Sequence, residues 1–207
     1  LTNHSIAEKA FESEVLIQNK GGRQDQYASV FGGLNFYEFN GGSNVSVNRV
    51  NILEDYLLEL EKNLLLIRVG TRIKSSGEIH KANNLEDHFV SSKIKNLHHL
   101  KNKAREMEYN LRKGNLRKFG ELIKESWELK KSYDSSVTTP EIDHFINTGL
   151  KYGAIGGKLM GAGGGGHLLF YCHPNQNQRV ADELEKINAQ KIDFNFDFSG
   201  LKIWKVE

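Results

Sequence analysis

Apolar residues recur at helical spacing over Ile6, Ala7, Ala10, Phe11 and Val15, which predicts a helix with one apolar face, closed by Asn19-Lys20-Gly21-Gly22. Arg23 to Tyr27 is polar and reads as a loop. Ser29 to Phe39 then alternates and is rich in aromatics around Gly32-Gly33, and Val45 to Val50 follows Asn40-Gly41-Gly42, the pattern of a two-stranded hairpin. A short helix from Leu53 to Glu61 leads into Leu64 to Val69, an unbroken apolar run suited to a buried strand.

Two long amphipathic helices come next, one marked by Leu85, Phe89, Ile94, Leu97, Ala104, Met107 and Leu111 and closed by Gly114, the other by Leu116, Phe119, Ile123, Trp127 and Tyr133. After Ser135 to Pro140, Thr139 is placed to cap a helix that has Pro140 at its first position. That helix runs to Tyr152 and feeds a glycine loop, which is followed by an apolar strand, His167 to Cys172. The end reads as a helix from Gln178 to Ile187 and two strands, Lys191 to Phe198 and Leu201 to Val206, about Ser199-Gly200. Strands flanked by helix pairs predict an α+β fold.

Composition narrows the function classes more than the fold. With 38% hydrophobic and 26% charged residues in a 207-residue chain, the protein has the make-up of an ordinary globular domain. A net charge of +2 is too mild for a nucleic-acid binder. Cys172 is the only cysteine, so no internal disulfide forms, in keeping with a reducing cytoplasm. No run approaches the roughly 20 apolar residues of a membrane helix, and no signal-peptide pattern opens the chain.

Seven of the 20 glycines fall between Gly156 and Gly166. Glycine tolerates positive φ and close approach, so the run points to a phosphate cradle or a tight crossing. Gly161-x-Gly163-x-x-Gly166 spells the dinucleotide fingerprint, but the expected order of helix, loop and strand is the reverse of what that fingerprint needs. A Walker loop is excluded because Leu159 follows Gly157-Lys158. His98-His99 has no partner at metal-ligand spacing, and there is no Gly-x-Ser-x-Gly elbow. Asp25 and Glu14 are the carboxylates with chemical potential: one can orient a hydroxyl and take its proton, the other can hold magnesium, and on spacing alone both also suit solvated surface acids.

The strings Gly21-Gly22-Arg23-Gln24-Asp25-Gln26-Tyr27-Ala28-Ser29-Val30-Phe31-Gly32-Gly33 and Lys158-Leu159-Met160-Gly161-Ala162-Gly163-Gly164-Gly165-Gly166 resemble two motifs of the GHMP kinases, in the same order. The wording around Gln24-Asp25-Gln26-Tyr27, the Gly33-Leu34-Asn35-Phe36 continuation, Glu125-Ser126-Trp127 and Gly156-Gly157-Lys158 are most similar to the D-glycero-D-manno-heptose 7-phosphate kinase branch. The resemblance implies the trailing part of a ribosomal-protein-like kinase domain over residues 1–50 and a ferredoxin-like C-terminal domain over 51–207. It also implies an ATP-dependent, magnesium-requiring sugar kinase. Asp25 would then orient or deprotonate the acceptor hydroxyl, and Glu14 would hold magnesium, with Glu12 as the second choice. Arg23, Gln24, Arg72, Ser75 and Lys158 would lie at the substrate. Gly161, Ala162, Gly163, Gly164, Gly165 and Gly166 would form the loop closing over it. His167 departs from the family, which more often has an aromatic or small residue there; it either touches substrate or begins a strand, the strand being favoured.

The family's upstream serine-rich glycine loop, which wraps the ATP phosphates at a helix N-terminus, has no counterpart here. Since the chain opens at Leu1 rather than methionine, it is expected to be the back part of a longer product, to bind ATP weakly alone, and to self-associate through uncovered apolar surface. Small-molecule partners, ATP and a sugar phosphate, are expected, with neither nucleic acid nor membrane. The rival reading is a non-catalytic kinase half that binds sugar phosphate or a partner chain.

Overall fold

In the computed structural model, Leu64-Leu65-Leu66-Ile67-Arg68-Val69 forms β3 (Leu64–Val69), the strand around which the larger unit is built. The structure describes residues 1–17, 21–70, 90–161 and 163–205. The chain divides into two compact units, residues 1–51 with 195–207, and residues 52–194.

The first unit opens with α1 (Asn3–Leu16), capped by Thr2, whose hydroxyl accepts from the Ser5 N–H. A second helix follows, α2 (Gln24–Phe31), where the sequence predicted a loop and the start of a strand. Gln26, Tyr27 and Val30 are buried, and a seam of three residues, one of them polar, is too short for periodicity to reveal. The hairpin begins only afterwards, as β1 (Asn35–Phe39) paired antiparallel with β2 (Val45–Arg49). Ala7, Tyr27, Val30 and Val45 make the small core.

The predicted terminal strands are absent among the described residues beyond Ile192. Residues 195–205 instead lie along the α2–β1 junction, where the Gly33 N–H donates to the Asp197 carbonyl at 2.6 Å and the Leu201 N–H to the Val30 carbonyl at 3.1 Å. The crossing is made by two glycines at positive φ, Gly32 at 59° and Gly200 at 62°, and a Cβ on either would run into the other's backbone.

The second unit contains α3 (Glu54–Asn63), β3, α4 (Val90–Arg112), α5 (Leu116–Tyr133), a 3-10 turn (Ser135–Val137), α6 (Pro140–Tyr152), β4 (Ala154–Leu159), β5 (Gly166–Cys172), α7 (Asn177–Glu185) and β6 (Gln190–Ile192). Leu85 and Phe89, predicted to open the first long helix, lie outside the described residues. Thr139 caps α6 as expected, its hydroxyl accepting from the Ile142 N–H with Pro140 at the first turn.

The four strands order as β4-β5-β3-β6, every pair antiparallel. With the helices between β3 and β4 and α7 between β5 and β6, this is the ferredoxin-like β-α-β-β-α-β arrangement. One sheet face carries Leu65, Ile67 and Val69 of β3 and Leu168, Phe170 and Cys172 of β5, covered by Ile142, Phe145 and Ile146 of α6 and Val180, Ala181 and Leu184 of α7. α5 lies against β4 through Gly120 and Gly156, where a Cβ on Gly156 would strike the Gly120 carbonyl oxygen.

Candidate functional site

Asp25 is the second residue of α2 and sits in its first turn, where unpaired N–H groups and the helix dipole favour a negative charge. Because Gln26, Tyr27 and Val30 turn inward, Gln24 and Asp25 are left exposed. The residues beside them anchor the helix end. Tyr27 is wholly buried and donates its hydroxyl to Glu8 Oε1 at 2.7 Å. Arg23 Nε lies 3.3 Å from Glu8 Oε2, the guanidinium stacks 4.5 Å from the Phe11 ring centroid, and Nη1 donates to the Gly42 carbonyl.

Arg23 thus ties α1 to the β1–β2 turn and steadies the start of α2. Glu8 is a participant that sequence reasoning missed; it is the acid that both Arg23 and Tyr27 use, one helix away from their motif. Glu14 is half-buried and Glu12 exposed on α1. The buried Gln26 side-chain oxygen has no hydrogen-bond partner.

In the second unit the glycine run divides in two. Gly156, Gly157 and Lys158 belong to β4 rather than to a loop, because these glycines admit close neighbours: Gly156 admits α5, and Gly157 admits the Phe170 ring, which also rests on Gly149 of α6. The true loop is the β4–β5 connection, with Gly161, Gly163, Gly164, Gly165 and Gly166 all at positive φ, between 74° and 137°. A strand does precede these glycines, contrary to expectation, but another strand follows, so the arrangement is a β-hairpin and not a nucleotide-binding strand-to-helix turn.

Three contacts hold the loop. The Met160 N–H donates to the His167 carbonyl at 2.8 Å, the Gly164 N–H donates to Val137 at 3.1 Å, and Lys130 Nζ donates to the Gly161 carbonyl at 2.7 Å. Gly163 packs so closely on Val137 that a Cβ would come within 2.8 Å of its Cα, whereas Gly161 and Gly166 face open space. His167 is the second residue of β5, opposite Arg68, and is exposed. Arg72, Ser75 and Ala162 lie outside the described residues.

Lys158 is half-buried, and burial holds its ammonium below the ordinary lysine range. Lys130 is also lowered, first by burial and then by the charge of Lys158, with Asp134 offsetting in part. Among the described residues, no three His, Cys, Asp or Glu side chains gather as a metal site.

Residues 107–190 match the family described as GHMP kinases C terminal. This stretch is a GHMP kinase C-terminal domain. It runs from the end of α4 to the start of β6, so the glycine hairpin is that domain's own β4–β5 connection. The whole chain is 31% identical over 208 residues to D-glycero-alpha-D-manno-heptose 7-phosphate kinase of Campylobacter jejuni, and it spans 60% of that protein. It is 30% identical over 178 residues to L-fucokinase/L-fucose-1-P guanylyltransferase of Bacteroides fragilis, where 84% of this chain matches 18% of the relative.

Among solved GHMP-type structures, a D-glycero-D-manno-heptose 1-phosphate kinase from Bacteroides thetaiotaomicron superposes with a TM-score of 0.72 at 25% identity, over 99% of this chain and 57% of the other. The chain therefore spans about three fifths of the heptose kinases it matches.

Proposed function

We propose that this protein serves ATP-dependent phosphoryl transfer to a sugar phosphate, with D-glycero-D-manno-heptose 7-phosphate the favoured acceptor at its anomeric hydroxyl. What carries the reading is that a heptose 7-phosphate kinase matches the chain along its whole length. Phosphoryl transfer asks for positioning and neutralisation of charge rather than covalent chemistry, and the two units offer parts of that kind. Asp25 is an exposed carboxylate on a helix end braced by Arg23, Tyr27 and Glu8, suited to orient the acceptor hydroxyl and receive its proton. The glycine hairpin of the second unit presents backbone amides at positive φ, suited to an oxyanion.

Gln24 is exposed beside Asp25 and is assigned to the substrate with it; Arg23 is assigned to holding Asp25 in place. A magnesium ion would be held by Glu14, with the nucleotide's phosphates as its other ligands. One carboxylate fits that role, because magnesium keeps its waters and binds through one or two carboxylates plus substrate phosphates rather than in an all-protein cage. When bound, the ion neutralises charge on the transferred group.

The test is Asp25→Asn in the full-length protein, assayed by ADP release with ATP and the heptose 7-phosphate. We expect kcat to fall about 10²-fold or more, the size of a general-base effect, with KM for ATP within a few-fold and the circular dichroism unchanged because the side chain is exposed. Near-normal turnover overturns the assignment.

A further inference from the structure

α5 and β4 run side by side in the same direction, and their spacing brings two cations together at the foot of the glycine hairpin. The pair of elements meets at Gly120 and Gly156. A helix advances about 1.5 Å per residue and a strand about 3.3 Å, so ten residues along α5 and five along β4 and its extension cover similar lengths, about 15 and 16 Å. Those steps lead to Lys130 and Gly161, which are joined by the 2.7 Å hydrogen bond from Nζ to the carbonyl.

Lys158 lies between the two contacts. It is two residues beyond Gly156, so it shares that residue's face and points at α5, while Gly157 and Leu159 face Phe170 and the core. Lys130 also lies 6.0 Å from the Trp127 ring centroid, and this buried indole walls the cluster with apolar surface.

The neighbouring charges compensate the two ammoniums only in part, Asp134 offsetting some of the repulsion at Lys130. Lys131 is engaged by Glu128 at 3.1 Å and Asp143 at 3.5 Å. The Asp134 carboxylate accepts from the Ser136 N–H and hydroxyl at 2.9 and 2.6 Å. Neither Lys130 nor Lys158 makes an ion pair among the described residues. Two half-buried like charges that no direct ion pair engages are costly, and a dianion arriving between them removes the repulsion and supplies further acceptors.

We propose that Lys130 and Lys158 form a binding seat for a phosphomonoester dianion at the foot of the β4–β5 hairpin, with Lys130 also fixing the hairpin through Gly161. Burial lowers the affinity of both ammoniums for their protons, and at Lys130 the charge of Lys158 adds to it. The proposal deepens the kinase reading and takes from it only the class of ligand. The phosphate belongs to either the sugar phosphate or the nucleotide.

The probe is inorganic phosphate, titrated into the 207-residue chain while the lysine side chains are followed by 13Cε NMR. Two lysines should titrate below the rest and move back up when phosphate is added. In Lys130→Met and Lys158→Met, phosphate affinity should fall roughly tenfold, the size of one lost hydrogen bond to a charged group. Arginine at either position should restore much of it. Lys118→Met, which removes an exposed lysine paired with Glu125, should leave binding unchanged.

Displacement of phosphate by a hexose 6-phosphate assigns the seat to the acceptor, and displacement by ADP assigns it to the nucleotide. If no lysine resonance in the unsubstituted chain responds to phosphate, or both methionine variants bind it with unaltered affinity, the seat does not exist. Phosphate binding to this pair, with no phosphoryl transfer by the full-length protein, would sink the kinase reading and spare the seat. Turnover with unresponsive lysines would do the opposite.

Discussion

At the scale of single residues, burial decides which titratable groups are chemically available. Cys172 is wholly buried among Leu168, Phe170 and the α7 side chains, and burial pushes its thiol up to about 12. Tyr27 is pushed up to about 12 as well, first by burial and then by its hydrogen bond to Glu8. Both groups bind their protons more tightly in the folded chain than in the unfolded one, so the unfolded state ionises first as pH rises. Stability is therefore undiminished below about pH 9 and is lost progressively between about 9 and 12. Urea titrations at stepped pH should show the midpoint falling across that window. A thiol reagent at pH 8 should label Cys172 only after denaturant is added. The Thr139-Pro140 cap was legible in the sequence because a cap is local chemistry. The Glu8–Tyr27–Arg23 cluster was not, since a helix acid that pairs 15 and 19 residues away leaves no periodic trace.

At the scale of elements, the glycine run contains two kinds of position that look alike as letters. Gly156 and Gly157 are strand residues whose missing Cβ makes room for the α5 backbone and the Phe170 ring, while Gly161 sits at φ 75° in open space. The two kinds should respond differently to alanine. Gly156→Ala forces helix and strand apart and should cost about 3 kcal/mol or more, beyond ordinary overpacking because the clash is with backbone. Gly161→Ala meets no neighbour and should cost about 1–2 kcal/mol of left-handed strain. Thermal unfolding of the two variants against the parent chain measures the contrast, and equal losses would mean that β4 has been misassigned. Amphipathic helices and the apolar strand β3 were readable from pattern because one buried face imposes a period. β4 was not, because Ala154-Ile155-Gly156-Gly157-Lys158-Leu159 carries too few side chains to alternate.

At the scale of the whole molecule, the residues after Phe194 return to the first unit instead of extending the second unit's sheet. The Gly32–Gly200 crossing makes that return possible. Gly200→Ala should break it, because a Cβ there strikes the Val30 carbonyl and the backbone of Phe31 and Gly32. We expect the amides of Gly33 and Leu201, which donate across the crossing, to lose hydrogen-exchange protection, while amides of β3 and β5 keep theirs. Unchanged protection at Gly33 would show that the tail is held by something else.

The sequence by itself determined the α+β class, the positions of most helices, the buried strand at Leu64–Val69 and the family, since these rest on periodicity, on caps and on two ordered motifs whose residues are close in the chain. It also singled out Asp25 and the glycines as the positions with chemical potential. Only the tertiary structure decided that Asp25 heads a helix, that the first glycines of the run serve packing, and that the terminal aromatic segment closes back on Gly32. It alone brought Lys130 to the glycine hairpin, 31 residues away in sequence. The physical reason is common to all of these. A residue's pattern records which side of its own element is buried, but not which other element arrives to bury it, and close approach, charge pairing and the availability of a side chain all depend on that arrival.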